Sequence, residues 1–290
     1  MKKASHLNDL SGKEWIKFTR TWFVCDSPRY HANKPTELHP ARYPEELVAD
    51  FLRFFTKRGE FALDPFLGSG ATLVACMEEG RNGAGIELSA HYVAMARKRL
   101  KNRADGRPRN FVIRGDSRRI GSPQFWARKR ETLRQAGLKF EGGLPQFHFA
   151  MTSPPYWQML RTSRGGVFSK HKQRAASGLD TYYSDDPADL GNVATYEDFI
   201  EGTGAVFDSV FRCIRPGRYL VVVAQNQRAP SGEVKPMAWD LARRIEKGGF
   251  VFQGEKIWCQ NTKPLGIWGY PKIFVPNYHH HYCLIFRRPA

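Results

Sequence analysis

The distribution of apolar and polar positions separates an irregular arm from a long, regularly patterned region. Residues 1–38 are polar apart from Trp15, Phe18, Trp22 and Phe23, whose spacing predicts one short helix or strand docking on a core. From Tyr43 the pattern turns helical. Pro44 is placed at the first helical position, Leu47, Val48, Phe51, Leu52 and Phe55 recur on one face, and Gly59 marks the end. A buried-type strand at 61–63 runs into the glycine-rich turn Asp64-Pro65-Phe66-Leu67-Gly68-Ser69-Gly70 and a helix over 71–79. A second unit follows, with a strand at 83–87 and a helix from Ser89, a candidate N-cap, through Leu100; a third strand, 111–113, ends at Gly115-Asp116.

Residues 117–146 form a basic segment, with Arg118, Arg119, Arg128, Lys129, Arg130 and Arg134 around a predicted helix, and read as an insertion between units. A fourth strand, 148–151, leads into Thr152-Ser153-Pro154-Pro155-Tyr156-Trp157. Residues 158–190 lack apolar periodicity and predict a mobile loop. Regular structure resumes with a helix over 196–213 capped by Thr195, a turn at Arg215-Pro216-Gly217, a strand at 219–223 and a helix over 236–247 ending at Gly248-Gly249. The tail, 250–258 and 278–287, reads as two strands across a long Pro/Gly-rich connection, an antiparallel hairpin closing the sheet. Strands alternating with helices predict an α/β fold: an arm over 1–38 and one domain over 39–290, with basic insertions at about 117–146 and 158–190.

Composition narrows the partners. No apolar run approaches the roughly 18 residues of a membrane span, and the residues after Met1-Lys2-Lys3 are polar, so a soluble, cytoplasmic protein is expected. Five scattered cysteines without a C-x-x-C pair argue against a disulfide framework or a zinc site. The net charge of +17, from 45 Lys and Arg against 28 Asp and Glu, points to an anionic partner, nucleic acid first; the plain alternative is a basic surface serving solubility.

Two loops carry candidate chemistry. The 64–70 turn, at the carboxyl end of a strand, lets backbone amides approach a ligand, although a structural turn would look the same; no Gly-Lys-Ser/Thr follows, which excludes a Walker phosphate loop. Glu87, about 20 residues on, stands where an acidic side chain holds the two hydroxyls of a ribose, and Asp116 could reach an adenine edge one unit later. In the second loop two prolines remove two amide donors and leave carbonyl oxygens in want of a donor. Ser153 adds an acceptor, and Tyr156 offers a flat face for a base taken out of its stack. His279-His280-His281 cannot converge on one ion from a strand, so no metal is expected there. Trp258, Trp268 and Tyr270 fit a core or a stacking platform equally well.

These residues resemble the amino-methyltransferase family of S-adenosylmethionine enzymes acting on DNA. The 64–70 turn resembles its cofactor motif and Ser153-Pro154-Pro155-Tyr156 its catalytic motif, while His39-Pro40-Ala41-Arg42-Tyr43-Pro44 is similar to the segment covering the methionine end of the cofactor. The resemblance runs from Trp15 to Arg287. It implies a Rossmann-like class I methyltransferase, with a mostly parallel seven-stranded sheet and a C-terminal antiparallel hairpin. By the same resemblance His39, Pro40, Asp64, Pro65, Phe66, Gly68, Ser69, Gly70, Thr72, Glu87, Leu88, Asp116 and Ser117 hold S-adenosyl-L-methionine, and Ser153, Pro154, Pro155 and Tyr156 act on the base. Arg161, Arg164, Lys170, Lys172 and Arg174, with the 117–146 segment, are placed to grip the phosphates of DNA.

Within the family a serine at the first catalytic position goes mainly with cytosine N4 and an aspartate mainly with adenine N6, so Ser153 favours cytosine; adenine N6 or an RNA base is the nearest alternative. Methylation at cytosine C5 needs a cysteine nucleophile, and no Pro-Cys pair stands near a strand end. A protein that binds nucleic acid and keeps the cofactor pocket without catalysis is the alternative of another class. Ala71 replaces a commoner threonine, and the chain is short for an enzyme with its own recognition domain. Recognition sequence, oligomeric state and a restriction endonuclease partner stay open at this level.

Overall fold

The apolar faces read from the sequence are paired across an open sheet in the computed structural model, which describes residues 7–26, 43–101, 109–157, 186, 188–228, 233–263, 265–267 and 270–290. The arm gives α1 (Gly12–Phe18) and β1 (Trp22–Val24). Next come α2 (Glu45–Phe55), β2 (Phe61–Asp64), α3 (Ala71–Glu78), β3 (Asn82–Glu87), α4 (Ala90–Lys101) and β4 (Asn110–Arg114). The 117–146 segment contains α5 (Pro123–Trp126), α6 (Arg130–Gln135) and the small pair β5 (Phe140–Glu141) and β6 (Leu144–Pro145). The chain continues through β7 (Phe147–Thr152), α7 (Tyr196–Cys213), β8 (Ile214–Ala224), β9 (Gln227–Arg228), β10 (Val234–Lys235), α8 (Met237–Lys247), β11 (Val251–Cys259) and β12 (His280–Arg287).

The main sheet has the order β1-β11-β12-β8-β7-β2-β3-β4. Seven of its strands are those the sequence predicts; the eighth, β1, comes from the arm and pairs parallel with β11. Only β12 runs against the rest, antiparallel to both β11 and β8. The fold is therefore α/β and Rossmann-like, mostly parallel, closed by the expected hairpin. The strand order reverses between β2 and β7, and in such sheets a ligand crevice opens at the carboxyl ends there.

Side chains along the central strands alternate between the two faces. Ala150, Leu220 and Val222 join one cluster, with Phe199, Phe207 and Val210 of α7 and Leu241 and Ile245 of α8. Phe149, Met151, Val221 and Val223 face the other way, toward Leu47, Val48, Phe51, Leu52 and Phe55 of α2. Pro44 precedes the first helical residue of α2 rather than occupying it, and its missing amide costs the helix nothing at that position. Ser11 and Glu14 close α1 with a reciprocal capping box, and Phe18 at its end stacks on Phe54 with ring centroids 4.0 Å apart.

Two segments differ from the sequence expectation. Arg215-Pro216-Gly217, read as a turn, lies inside β8 as an irregularity: Phe147 faces Ile214 but Phe149 faces Tyr219. Gly217 takes a φ of 76° there, and its amide donates to the Arg288 carbonyl at 2.9 Å, so the bulged backbone stays paired. The 117–146 segment is a packed crossover. Because β4 and β7 run the same way, it has to travel the length of the sheet, and it buries Trp126, Leu133 and Leu138 on the way. Trp126 donates its indole N–H to the Ile120 carbonyl at 2.6 Å. Among the described residues no helix is long and apolar enough to cross a membrane.

Candidate active site

The 64–70 turn owes its shape to two glycines and one carboxylate. Gly68 and Gly70 have φ of 53° and 90°, the left-handed region that side chains disfavour, and Gly70 caps the start of α3 where a Cβ would lie 3.1 Å from that of Ala96 in α4. Asp64 is buried beneath the turn. Its carboxylate accepts from Tyr43 Oη at 3.0 Å, Thr72 Oγ1 at 2.5 Å, Thr152 Oγ1 at 2.6 Å and its neighbour Phe66 N at 3.0 Å. One side chain thus ties together the entry to α2, the first turn of α3, the 64–70 turn and the end of β7. Burial pushes the Asp64 carboxyl above its ordinary range, and these donors pull the other way.

Glu87, at the end of β3, accepts from Gly68 N and Ser89 N, both at 2.8 Å. Burial raises its carboxyl to about 7, opposed by those two amides. Arg99 of α4 donates to the Ser69 carbonyl at 2.6 Å and also pairs with Glu45 of α2. Asp116, after β4, is held by Arg118 through its backbone amide at 2.9 Å and its guanidinium at 2.7 Å. Ser117 donates its hydroxyl to the Pro65 carbonyl.

These loops line one open cleft. Of the residues expected to hold a cofactor, Pro65, Phe66, Gly68, Ser69, Glu87, Leu88, Asp116 and Ser117 are on its wall. Asp64, Gly70 and Thr72 are not; they lie beneath and shape it. His39 and Pro40 fall outside the described residues, as do Arg161, Arg164, Lys170, Lys172 and Arg174.

Ser153, Pro154 and Pro155 form another part of the same wall. Ser153 donates its hydroxyl to the Val223 carbonyl at 3.1 Å, across from β7 to β8. Tyr156 is not on the cleft wall; it is packed at 6% exposure within the core cluster. Its phenol instead meets the Ser153 hydroxyl, and burial keeps it protonated well past its usual range. Trp157 is fixed beside it, its indole N–H on the Val193 carbonyl at 3.1 Å.

The sequence reading missed several wall residues: Tyr43 in its own right, Ser89 beyond its cap, Tyr92, Asp189, Leu190 and Val206. Asp189 carries the one local signal that could have marked it, a side chain capping its own turn by accepting from Gly191 N at 2.9 Å. Of the three consecutive histidines, His281 is stacked on Trp258 at 4.6 Å between ring centroids, and burial lowers its imidazole to about 3. Among the described residues no group of three or more His, Cys, Asp and Glu could hold a metal ion.

Residues 2–98, which include the 64–70 turn and Glu87, match the family described as DNA methylase, of the N6 and N4 amino type. The Type II methyltransferase M.HpaI of Haemophilus parainfluenzae is 34% identical over 77 residues, 27% of this chain and 24% of the relative. M.Cfr9I of Citrobacter freundii is 44% identical over 63 residues, 22% of this chain and 21% of the relative. M.BglI of Bacillus subtilis is 32% identical over 96 residues, 32% of this chain and 26% of the relative. The chain thus spans about a quarter of the length of these curated relatives. Among solved structures, TrmN from Thermus thermophilus superposes with a TM-score of 0.48 at 11% identity, covering 84% of this chain and 48% of that one. Over residues 2–98 the chain is thus similar to the amino-methyltransferase family of DNA methylases.

Proposed function

We propose that this protein transfers a methyl group from S-adenosylmethionine to an exocyclic amino group in DNA, with cytosine N4 as the target and the base turned out of the duplex. One observation carries the reading: Ser153, Pro154 and Pro155 share a cleft with Pro65, Gly68, Glu87 and Asp116. A nucleoside ligand lying over the glycine turn therefore ends against the proline turn.

The residues present fit that cofactor. The turn is poor in side chains, and Glu87 keeps lone pairs beyond its two amide bonds for a ribose diol. Asp116, already tied to Arg118, faces the same space and could meet an adenine edge. Asp64 acts beneath, holding the glycine turn and the catalytic turn in register. When bound, S-adenosylmethionine supplies an electrophilic methyl group on a sulfonium.

The chain itself prepares the nucleophile. An exocyclic amine shares its lone pair with the ring and becomes nucleophilic only as it pyramidalises. Acceptors aimed at its two N–H bonds favour that shape. Ser153 Oγ and the Pro154 carbonyl are the acceptors this reading assigns. The Ser153 proton already points to Val223, which leaves its oxygen to accept. Serine, a neutral acceptor, favours cytosine over adenine by the family's pattern. DNA as partner agrees with the net charge of +17.

The test is direct. DNA is treated with the protein and labelled cofactor, digested to nucleosides, and the methylated species identified by mass. N4-methylcytosine is expected. N6-methyladenine alone would overturn the target, and no transfer despite cofactor binding would favour a binding protein over an enzyme.

A further inference from the structure

The cleft differs in charge from the rest of the chain. Its wall carries three carboxylates, Glu87, Asp116 and Asp189, and among the described residues no Lys, Arg or His, although the net charge of the chain is +17. Asp116 is paired with the Arg118 guanidinium at 2.7 Å, and Glu87 accepts two backbone amides. Asp189 has no part in the function proposed above. It is 7% exposed and reaches the wall on the short segment that precedes α7. Two contacts fix where that segment runs. At one end Arg118, which holds Asp116, also donates to the Ala188 carbonyl at 3.3 Å. At the other Trp157, next to the catalytic turn, donates its indole N–H to the Val193 carbonyl at 3.1 Å. Asp189 therefore stands between the Asp116 loop and the Ser153 turn. Its own amide donates to the Asp186 carbonyl at 2.9 Å, its carboxylate accepts from Gly191 N at 2.9 Å, and Leu190 beside it is buried in the core cluster with Phe199 of α7. Beyond burial, the charges of Asp64 and Asp189 raise the Glu87 carboxyl, so Asp189 acts electrostatically across the same space.

We infer that Asp189 is the residue by which the cleft distinguishes the charged cofactor from its uncharged product. The inference rests on the function proposed above and deepens it, from the ligand that is held to the form of it that is preferred. S-adenosylmethionine and S-adenosylhomocysteine share the nucleoside and the amino-acid end. They differ by one methyl group and one positive charge: when the methyl group moves to the amine, the sulfur keeps the electron pair of the broken bond and becomes a neutral thioether. Hydrogen bonds to the ribose or the adenine meet identical atoms in both and cannot tell them apart. A fixed charge along the stretch between nucleoside and target amine can, and Asp189 occupies that stretch. The other two wall carboxylates are less suited to the task. Asp116 is neutralised by Arg118, and Glu87, raised to about 7, is only partly ionised near neutrality. A carboxylate within a low-dielectric cleft attracts a cation far more strongly than one in water does. The consequence is that spent cofactor is held less tightly than fresh.

The experiment uses Asp189→Asn in the full chain, which removes the charge and keeps the turn, because an asparagine oxygen accepts from Gly191 N as the aspartate does. Affinities for S-adenosylmethionine and for S-adenosylhomocysteine are measured by calorimetry without DNA, at about pH 8. The variant is expected to bind S-adenosylmethionine about tenfold more weakly than wild type and S-adenosylhomocysteine within about twofold, so that the ratio of the two affinities falls about tenfold. The retained affinity for the product verifies the fold of the cleft. An unchanged affinity for S-adenosylmethionine would overturn the inference, as would equal losses on both ligands, which would assign Asp189 to the shared nucleoside. Glu87→Gln serves as the contrast and is expected to weaken both ligands alike, since it meets the ribose; discrimination lost in that variant and kept in Asp189→Asn would also overturn the inference. A wild type that binds neither ligand sinks the cofactor reading and the inference with it. One that discriminates through Asp189 yet methylates no DNA sinks the proposed reaction and leaves the role of Asp189 standing.

Discussion

Glu87 is the residue whose ionisation should be visible in function. In the function proposed above its carboxylate form accepts from both hydroxyls of a ribose, while the protonated form must give up one of those bonds. With the group raised to about 7, the ionised fraction falls about tenfold from pH 8 to pH 6. Cofactor affinity measured by calorimetry should weaken by about that factor over the same interval, and Glu87→Gln should be weak and flat with pH. Ser153→Ala should leave cofactor affinity within about twofold and lower kcat by about 100-fold, the range for one acceptor or donor aimed at a developing charge. A kcat within threefold of wild type would remove Ser153 from the reaction. Both residues were legible in the sequence because each stands at the carboxyl end of a strand. Asp64 was legible only as an acid at a strand end. Its partners Tyr43 and Thr152 lie 21 and 88 residues away, and no local pattern shows that they exhaust it. The burial of Tyr156 was not legible for the related reason that an aromatic residue in a loop does not reveal whether its ring is covered.

Among the elements, those with a long apolar period were plain beforehand. α2 and α7 present their buried residues at helical spacing, and Thr195 caps α7 by accepting from Asp198 N as its position suggests. β1 was beyond reach, since three residues carry no period and its pairing partner is more than 230 residues on. The bulge in β8 was hidden because Pro-Gly signals a turn wherever it falls, and only the neighbouring strand decides that the chain continues straight. The arm's attachment depends on Phe18, which meets Phe51, Phe54 and Phe55 at 5.4, 4.0 and 6.0 Å. Lys256 lies over the same ring at 4.0 Å and donates to the Phe18 carbonyl. Phe18→Ala should therefore cost about 2 kcal/mol in chemical denaturation. A change below about 0.5 kcal/mol would show that the arm is not part of the cooperative unit.

For the molecule as a whole the dominant quantity is charge. If the surplus of positive side chains meets phosphate, log K for duplex DNA should fall linearly with log salt, losing about 1,000-fold between 50 and 200 mM. A loss under tenfold, read by fluorescence anisotropy, would mean that few phosphates are neutralised. The ligand edge follows from the order of the strands, and that order was not readable, because the 117–146 crossover looked like an insertion and neither pattern nor spacing says which strands pair. The eighth strand has a different significance. Without β1, Ile257–Cys259 would join the rest of β11 in an unpaired edge of nine residues, a ready template for pairing with another chain. β1 pairs with Ile257–Cys259 and so shortens that template by a third, at the end nearest the ligand edge. Deleting residues 1–26 should accordingly yield protein that self-associates in light scattering, so that the arm's contribution is to colloidal solubility as much as to folding.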